Sequence, residues 1–110
     1  MTINYYNNQE ITLRFSFRAD MLFESATGHS FSGANESEWL QYMFCNIVAV
    51  TKNDGLKFDD FLEWISENPT VFYDYLEWYT EYQKAVLELR KKPDENSAES
   101  KKKVSQTKKK

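Results

Sequence analysis

The chain has 110 residues, of which 16% are aromatic, with one cysteine and a formal net charge of −3. One thiol excludes an intramolecular disulfide, and no apolar run approaches the roughly 20 residues that cross a bilayer, so we expect a cytoplasmic protein without a membrane span. The segment from Pro93 onward holds six of the fourteen basic residues and three of the seventeen acidic ones, which leaves eight basic and fourteen acidic residues before it. A body with a charge of −6 repels phosphate, which makes nucleic acid an unfavourable partner.

The N-terminal residues alternate between apolar and polar side chains. Ile11, Leu13, Phe15 and Phe17 fall on one face of this pattern, and a period of two residues is typical of a half-buried strand. The letters "NNQ" separate this run from a second β-prone run, "INYY", and asparagine accepts the dihedral angles of turns. We therefore predict an N-terminal β-hairpin.

Two helices are expected after the hairpin. Ser16 is a good N-cap for a helix of about ten residues, and Gly28 is suited to the left-handed conformation that ends it. Asn35, with Glu38 three positions later, predicts a capping box for a second helix from about residue 36 to residue 51. Apolar residues cover nearly the full circumference of this second helix, so we expect it to be the most buried element.

Two more helices complete the predicted domain. The letters "FDDFLEWISEN" indicate a short amphipathic helix, and the last helix begins at Pro69, runs to about Lys91 and stops before Pro93. The fold class is therefore mainly α (α+β), with a small hairpin and about four helices over residues 1–92. Residues 93–110 are rich in lysine and poor in apolar side chains, so we predict a disordered basic tail.

The sequence offers no anchor for catalysis or for a bound metal. His29 is the single histidine and follows a helix end, while Ser25 lacks the flanking glycines of a nucleophile elbow. Aligning "NDGLKFDD" on a calcium loop with Gly55 as its glycine leaves three ligand positions occupied by other residue types. One histidine and one cysteine do not supply a transition-metal site. We predict no catalytic residue, no metal and no cofactor.

The last helix carries the most informative pattern. Its aromatic and aliphatic residues recur at spacings of 3, 4, 3, 4 and 3 and form a seam, namely Phe72, Tyr75, Tyr79, Tyr82, Val86 and Leu89. Rings of tyrosine and tryptophan often dominate protein interfaces. The predicted partner-binding residues combine such rings with acidic neighbours: Tyr75, Trp78, Tyr79, Tyr82, Asp74, Glu77 and Glu81. The alternative, that all these rings belong to the core, stays open at this point.

Three stretches together resemble a known family: "ITLRFSFRADMLFESATGHSF", "WLQYMFCNIVAV" and "FDDFLEWISENPTVFYDYLEWY". A strand leads into an arginine-containing helix that ends in Thr-Gly-x-Ser-Phe, and a buried helix and an acidic, aromatic helix pair follow. This order is similar to that of the short tail assembly chaperones of long-tailed, siphovirus-like bacteriophages and prophages, over roughly residues 2 to 82.

The resemblance implies a non-enzymatic helper in the cytoplasm of a bacterial host. It implies binding to the tape-measure protein during tail assembly, with tail-tube subunits as a second partner and a homo-oligomer as a further option. Such chaperones are often made in two lengths by ribosomal frameshifting, and the terminal "TKKK" is compatible with adenine-rich codons. The alternative function is a small nucleic-acid-associated regulator that uses the lysine-rich tail, against which the acidic body argues.

Overall fold

The computed structural model describes the backbone of residues 1–97 and the side chains of residues 1–89. It is mainly helical, with an N-terminal hairpin followed by helices, as predicted. The two strands and four helices are β1 (Thr2–Tyr5), β2 (Gln9–Thr12), α1 (Phe17–Thr27), α2 (Glu36–Thr51), α3 (Phe58–Glu67) and α4 (Pro69–Ser97). The chain divides into a first unit, Met1–Leu76, and a second unit that begins at Glu77. Most of the predicted tail, residues 98–110, lies outside the described residues.

The hairpin is antiparallel and buries one face. Ile3 pairs with Ile11 across the two strands, and both side chains are buried. The connecting turn places Asn7 and Asn8 at φ values of 58° and 59°, a left-handed conformation that asparagine adopts more readily than most residues. The "NNQ" stretch therefore forms the turn that its composition indicated.

The apolar alternation ends earlier than predicted. β2 stops at Thr12, and Phe17 is the first residue of α1, with 75% of its surface exposed. The chain turns here because the side chain of Ser16 accepts hydrogen bonds from the backbone amides of Arg18 and Ala19, at 3.1 and 3.4 Å. Placing Phe17 on the buried face of the strand was therefore wrong, since the N-cap of α1 precedes it.

Local capping chemistry fixes the bounds of α1 and α2. Gly28 ends α1 at φ 85°, a conformation that favours glycine. The side chain of Asn35 accepts from the amide of Glu38 at 2.9 Å and begins α2. The Glu38 carboxylate reaches further back than a capping box requires and accepts from the amides of Ser32 and Gly33, at 2.7 and 2.6 Å. This carboxylate consequently fastens the loop that precedes α2.

The core of the first unit is centred on α2, which carries more buried residues than the other elements of residues 1–76. Its buried residues are Tyr42, Met43, Cys45, Asn46, Ile47, Val48 and Ala49. Asn46 is the polar member of this set. Its amide donates to the carbonyl of Arg14 at 2.9 Å, and its Oδ1 accepts from the hydroxyl of Tyr75 at 3.2 Å. One buried side chain thus joins the segment before α1, α2 and the start of α4.

Helix α4 begins at Pro69, as predicted, but continues past Pro93 to Ser97. The prediction that Pro93 stops the helix was therefore wrong. A proline inside a helix lacks the N–H that would bond the carbonyl four residues earlier, here that of Leu89. The backbone of α4 loses this one hydrogen bond and remains helical over the next four residues.

Candidate partner-binding site

The side chain of His29, the single histidine of the chain, contacts its own loop and the start of α2. The Nδ1 atom of His29 lies 3.0 Å from the carbonyl oxygen of Ser30 and 4.0 Å from a carboxylate oxygen of Glu38. The first contact lies within the loop that joins α1 and α2, and the second joins this loop to the first turn of α2. Among the side chains described, those of residues 1–89, no group of three or more histidine, cysteine or acidic residues is placed to hold a metal ion.

The seven predicted partner-binding residues differ in exposure. Tyr75 and Tyr79 are buried, Trp78 is half-buried, and the exposed members are Asp74, Glu77, Glu81 and Tyr82. Tyr75 has no exposed surface and donates to Asn46, so it serves the core of the first unit. Asp74 also lies in the first unit, and the other five residues lie in the second.

Four of these residues form a compact surface on the second unit, which we call the acidic aromatic patch: Glu77, Trp78, Glu81 and Tyr82. The two carboxylates are four residues apart, and so are the two rings, so each pair is separated by about one turn of α4. The rings of Trp78 and Tyr82 are stacked, with centroids 6.4 Å apart and planes inclined by 27°. The side chain of Glu81 is 68% exposed, and Tyr82 is 37% exposed.

The charge of the patch is only weakly compensated from within the chain. The ammonium of Lys84 lies 3.5 Å from Glu81, and both side chains are more than two-thirds exposed. An exposed ion pair of this type contributes about 0–1 kcal/mol, because water and salt screen it. Glu77 forms no ion pair with any described side chain. The patch therefore retains negative charge beside an aromatic surface.

This arrangement suits a basic helical surface. A lysine or arginine on a partner helix can pair with each carboxylate when the two cations are about one turn apart. The tryptophan and tyrosine rings can bury area against the partner and attract the same cations through their faces. The patch therefore combines negative charge with aromatic surface, a chemistry that suits docking of a basic helix.

A second surface, in the first unit, was missed by the sequence analysis. It is an open groove of about 820 Å³ between α1, α2 and the segment that leads into α3. Its apolar lining includes Leu22, Phe44, Val48, Leu56 and Phe58. The signal available in the sequence was α2 itself, because apolar residues cover nearly its full circumference. Its neighbours leave part of this apolar surface uncovered, and that part lines the groove.

No family model, curated protein or solved structure matches this chain. None of the helices within residues 1–97 combines the length and the apolar character needed to cross a membrane. The chain is therefore classified by its own structure, as a small, mainly helical protein with an acidic, aromatic helix surface.

Proposed function

We propose that this chain is a non-enzymatic tail assembly chaperone of a long-tailed phage or prophage. In this proposal it acts in the cytoplasm of the bacterial host and binds the tape-measure protein through the acidic aromatic patch, with tail-tube subunits as a second partner. The observation that carries the proposal is the exposed pair of carboxylates beside the stacked rings of Trp78 and Tyr82. The resemblance of residues 2 to 82 to this family of chaperones supports the same function.

The carboxylate pair favours a basic partner. Glu77 and Glu81 are like charges one turn apart, an arrangement that costs an isolated helix about 0.2–0.5 kcal/mol. A partner that brings lysine or arginine between them converts this repulsion into attraction. Such charges mainly accelerate encounter, so binding should be faster at low ionic strength.

The rings favour retention of the partner after encounter. Most residues of a binding interface contribute little energy, whereas truncation of a tryptophan or tyrosine at a hot spot costs about 2 kcal/mol or more. Trp78 is half-buried and Tyr82 is 37% exposed, so both can bury further area against a partner. Loss of either ring should therefore accelerate dissociation.

The experiment is a calorimetric titration of the purified chain with the tape-measure protein of the phage or prophage that encodes it. We expect Trp78→Ala and Tyr82→Ala to weaken binding by about 30-fold each, which corresponds to about 2 kcal/mol. Glu77→Gln combined with Glu81→Gln should weaken binding mainly at low salt. Each variant must first show the helical circular dichroism of the wild type.

Tyr73→Ala is the matched control. Tyr73 is 58% exposed and lies nine residues before Tyr82, which places it about half a turn round the helix from that ring. This variant should bind as the wild type does. Folded Trp78→Ala and Tyr82→Ala variants with wild-type affinity would show that the patch is not the docking surface. Salt-dependent DNA binding that is lost on deleting residues 93–110 would favour the regulator instead.

A further inference from the structure

The groove of the first unit combines an apolar floor with the charged side chains of Arg18 and Asp54 on its walls. Phe23 and Cys45 line it alongside half-buried Leu22, Phe44 and Phe58. The ring of Phe44 lies 5.4 Å from that of Phe58, so aromatic carbon forms much of one side. An open, apolar groove between helices is a shape that an amphipathic helix fills.

The positive charge of Arg18 indicates that the occupant carries a negative charge. Arg18 lines the groove and belongs to the first turn of α1, where the positive end of the helix dipole disfavours a cation. It is exposed and forms no ion pair with any side chain within residues 1–89. Asp54 carries the opposite charge on the loop wall. A carboxylate supplied along the α1 wall would neutralise Arg18 and relieve the unfavourable dipole interaction.

The chain itself carries a helix face of this chemistry on α4. We call it the distal stripe: Tyr82, Val86 and Leu89, which follow the seam spacing. Leu89 is 68% exposed, Tyr82 is 37% exposed and Val86 is half-buried. Glu81 and Glu88 lie seven residues apart along one edge of this stripe and are both exposed. The stripe is thus an apolar surface with an acidic edge.

The dimensions of the two surfaces match. The α1 wall of the groove extends from Arg18 to Thr27, nine residue steps or about 14 Å of helix. The distal stripe covers seven steps, or about 10 Å. The stripe therefore fits within the length of this wall, since the two surfaces extend for about two and about two and a half helical turns.

We propose that the distal stripe of a second copy of this chain occupies the groove, with the carboxylate of Glu81 or Glu88 against the guanidinium of Arg18. This self-association is independent of the proposed function. It has a consequence for that function, because Glu81 and Tyr82 also belong to the acidic aromatic patch. A docked second copy and a tape-measure protein then compete for the same two side chains.

The test is light scattering coupled to size exclusion on the full chain alone, from about 1 µM to about 1 mM. We expect concentration-dependent self-association, and at least a tenfold rise in its dissociation constant for Leu89→Ser. Leu87→Ser is the matched control, because Leu87 is 54% exposed but lies about 130° round the helix from the centre of the stripe, on the side opposite to Glu81 and Glu88. This control should self-associate as the wild type does.

Charge reversal tests the pairing directly. Arg18→Glu should weaken self-association at least tenfold, and adding Glu81→Lys and Glu88→Lys to it should restore association. Arg14→Glu, an exposed arginine that does not line the groove, should have no effect. A chain that stays monomeric over the whole concentration range would overturn the proposal. So would equal effects of Leu89→Ser and Leu87→Ser, or a charge-reversed triple variant that fails to recover. The partner is absent from these measurements, so their failure leaves the patch experiment unaffected.

Discussion

Replacing Tyr75 with phenylalanine removes one oxygen atom from the interior of the first unit. Tyr75 has no exposed surface, and its hydroxyl donates to Oδ1 of Asn46 at 3.2 Å. Asn46 is 1% exposed, and within residues 1–89 its other hydrogen bond runs from its side-chain amide to the carbonyl of Arg14 and not to Oδ1. The substitution therefore leaves a buried acceptor without a hydrogen bond.

The magnitude follows from that unsatisfied acceptor. A buried polar atom that loses its partner costs about 1–3 kcal/mol, and the oxygen separation of 3.2 Å is long for a hydroxyl donor. We therefore expect Tyr75→Phe to lower the free energy of unfolding by about 1–2 kcal/mol. Asn46→Ala should cost more, about 2–4 kcal/mol, because it removes both hydrogen bonds and leaves a cavity.

The assay is urea unfolding followed by tryptophan fluorescence and by circular dichroism. The double variant Tyr75→Phe/Asn46→Ala should lose less stability than the sum of the losses of Tyr75→Phe and Asn46→Ala, because the two side chains share one hydrogen bond. Tyr73→Phe, at a 58% exposed position, is the control and should change stability by less than about 0.5 kcal/mol. A Tyr75→Phe loss as small as that of the control, or strict additivity in the double variant, would refute the reasoning.

Two further predictions concern ionisable groups of the first unit. The hydrogen bond from the amide of Ser32, with smaller contributions from other donors in the same loop, holds the pKa of Glu38 below its ordinary value of 4.5. The ionised carboxylate therefore stabilises the folded chain fully above pH 4.5, and this stabilisation is lost as the pH falls through the lower pKa of the folded state. Glu38→Gln should therefore lower the urea midpoint at pH 7, and this loss should shrink as the pH is lowered below 4.5. A loss of the same size at every pH would contradict the assignment. Burial raises the pKa of the Cys45 thiol from 9.0 to about 11, so at pH 8 its thiolate fraction falls about 100-fold relative to the unfolded chain. Ellman's reagent should react correspondingly slowly with the native protein, and a native rate equal to that in urea would show that the thiol is accessible.

The parts of the fold that depend on local chemistry could be predicted from the sequence. Ser16, Gly28 and Asn35 each act within a few residues of their own position, and their cap roles were confirmed. Pro93 shows the limit of such rules, because the helix continues through it. The missing N–H of a proline removes one backbone hydrogen bond, and whether the helix ends there depends on the hydrogen bonds that remain on either side.

The candidate surfaces were harder to predict because periodicity does not identify what lies against a face. Tyr75 and Tyr82 occupy equivalent positions in the 3, 4 spacing, yet one is fully buried and the other is 37% exposed. The groove arises where α1, α2 and the residues before α3 meet, and those residues are far apart in the sequence. Its concave shape depends on packing between elements, which no single periodic pattern reports.

The most direct test of the proposed function is site-specific photocrosslinking in cells that produce the chain together with the tape-measure protein. A benzoylphenylalanine in place of Tyr82 lies within the acidic aromatic patch, and one in place of Tyr73 is also exposed but lies about half a turn away on α4. If the tape-measure protein binds at the patch, we expect a crosslink to it from position 82 and none from position 73. Crosslinks of equal yield from both positions, or a crosslink from position 73 alone, would contradict it.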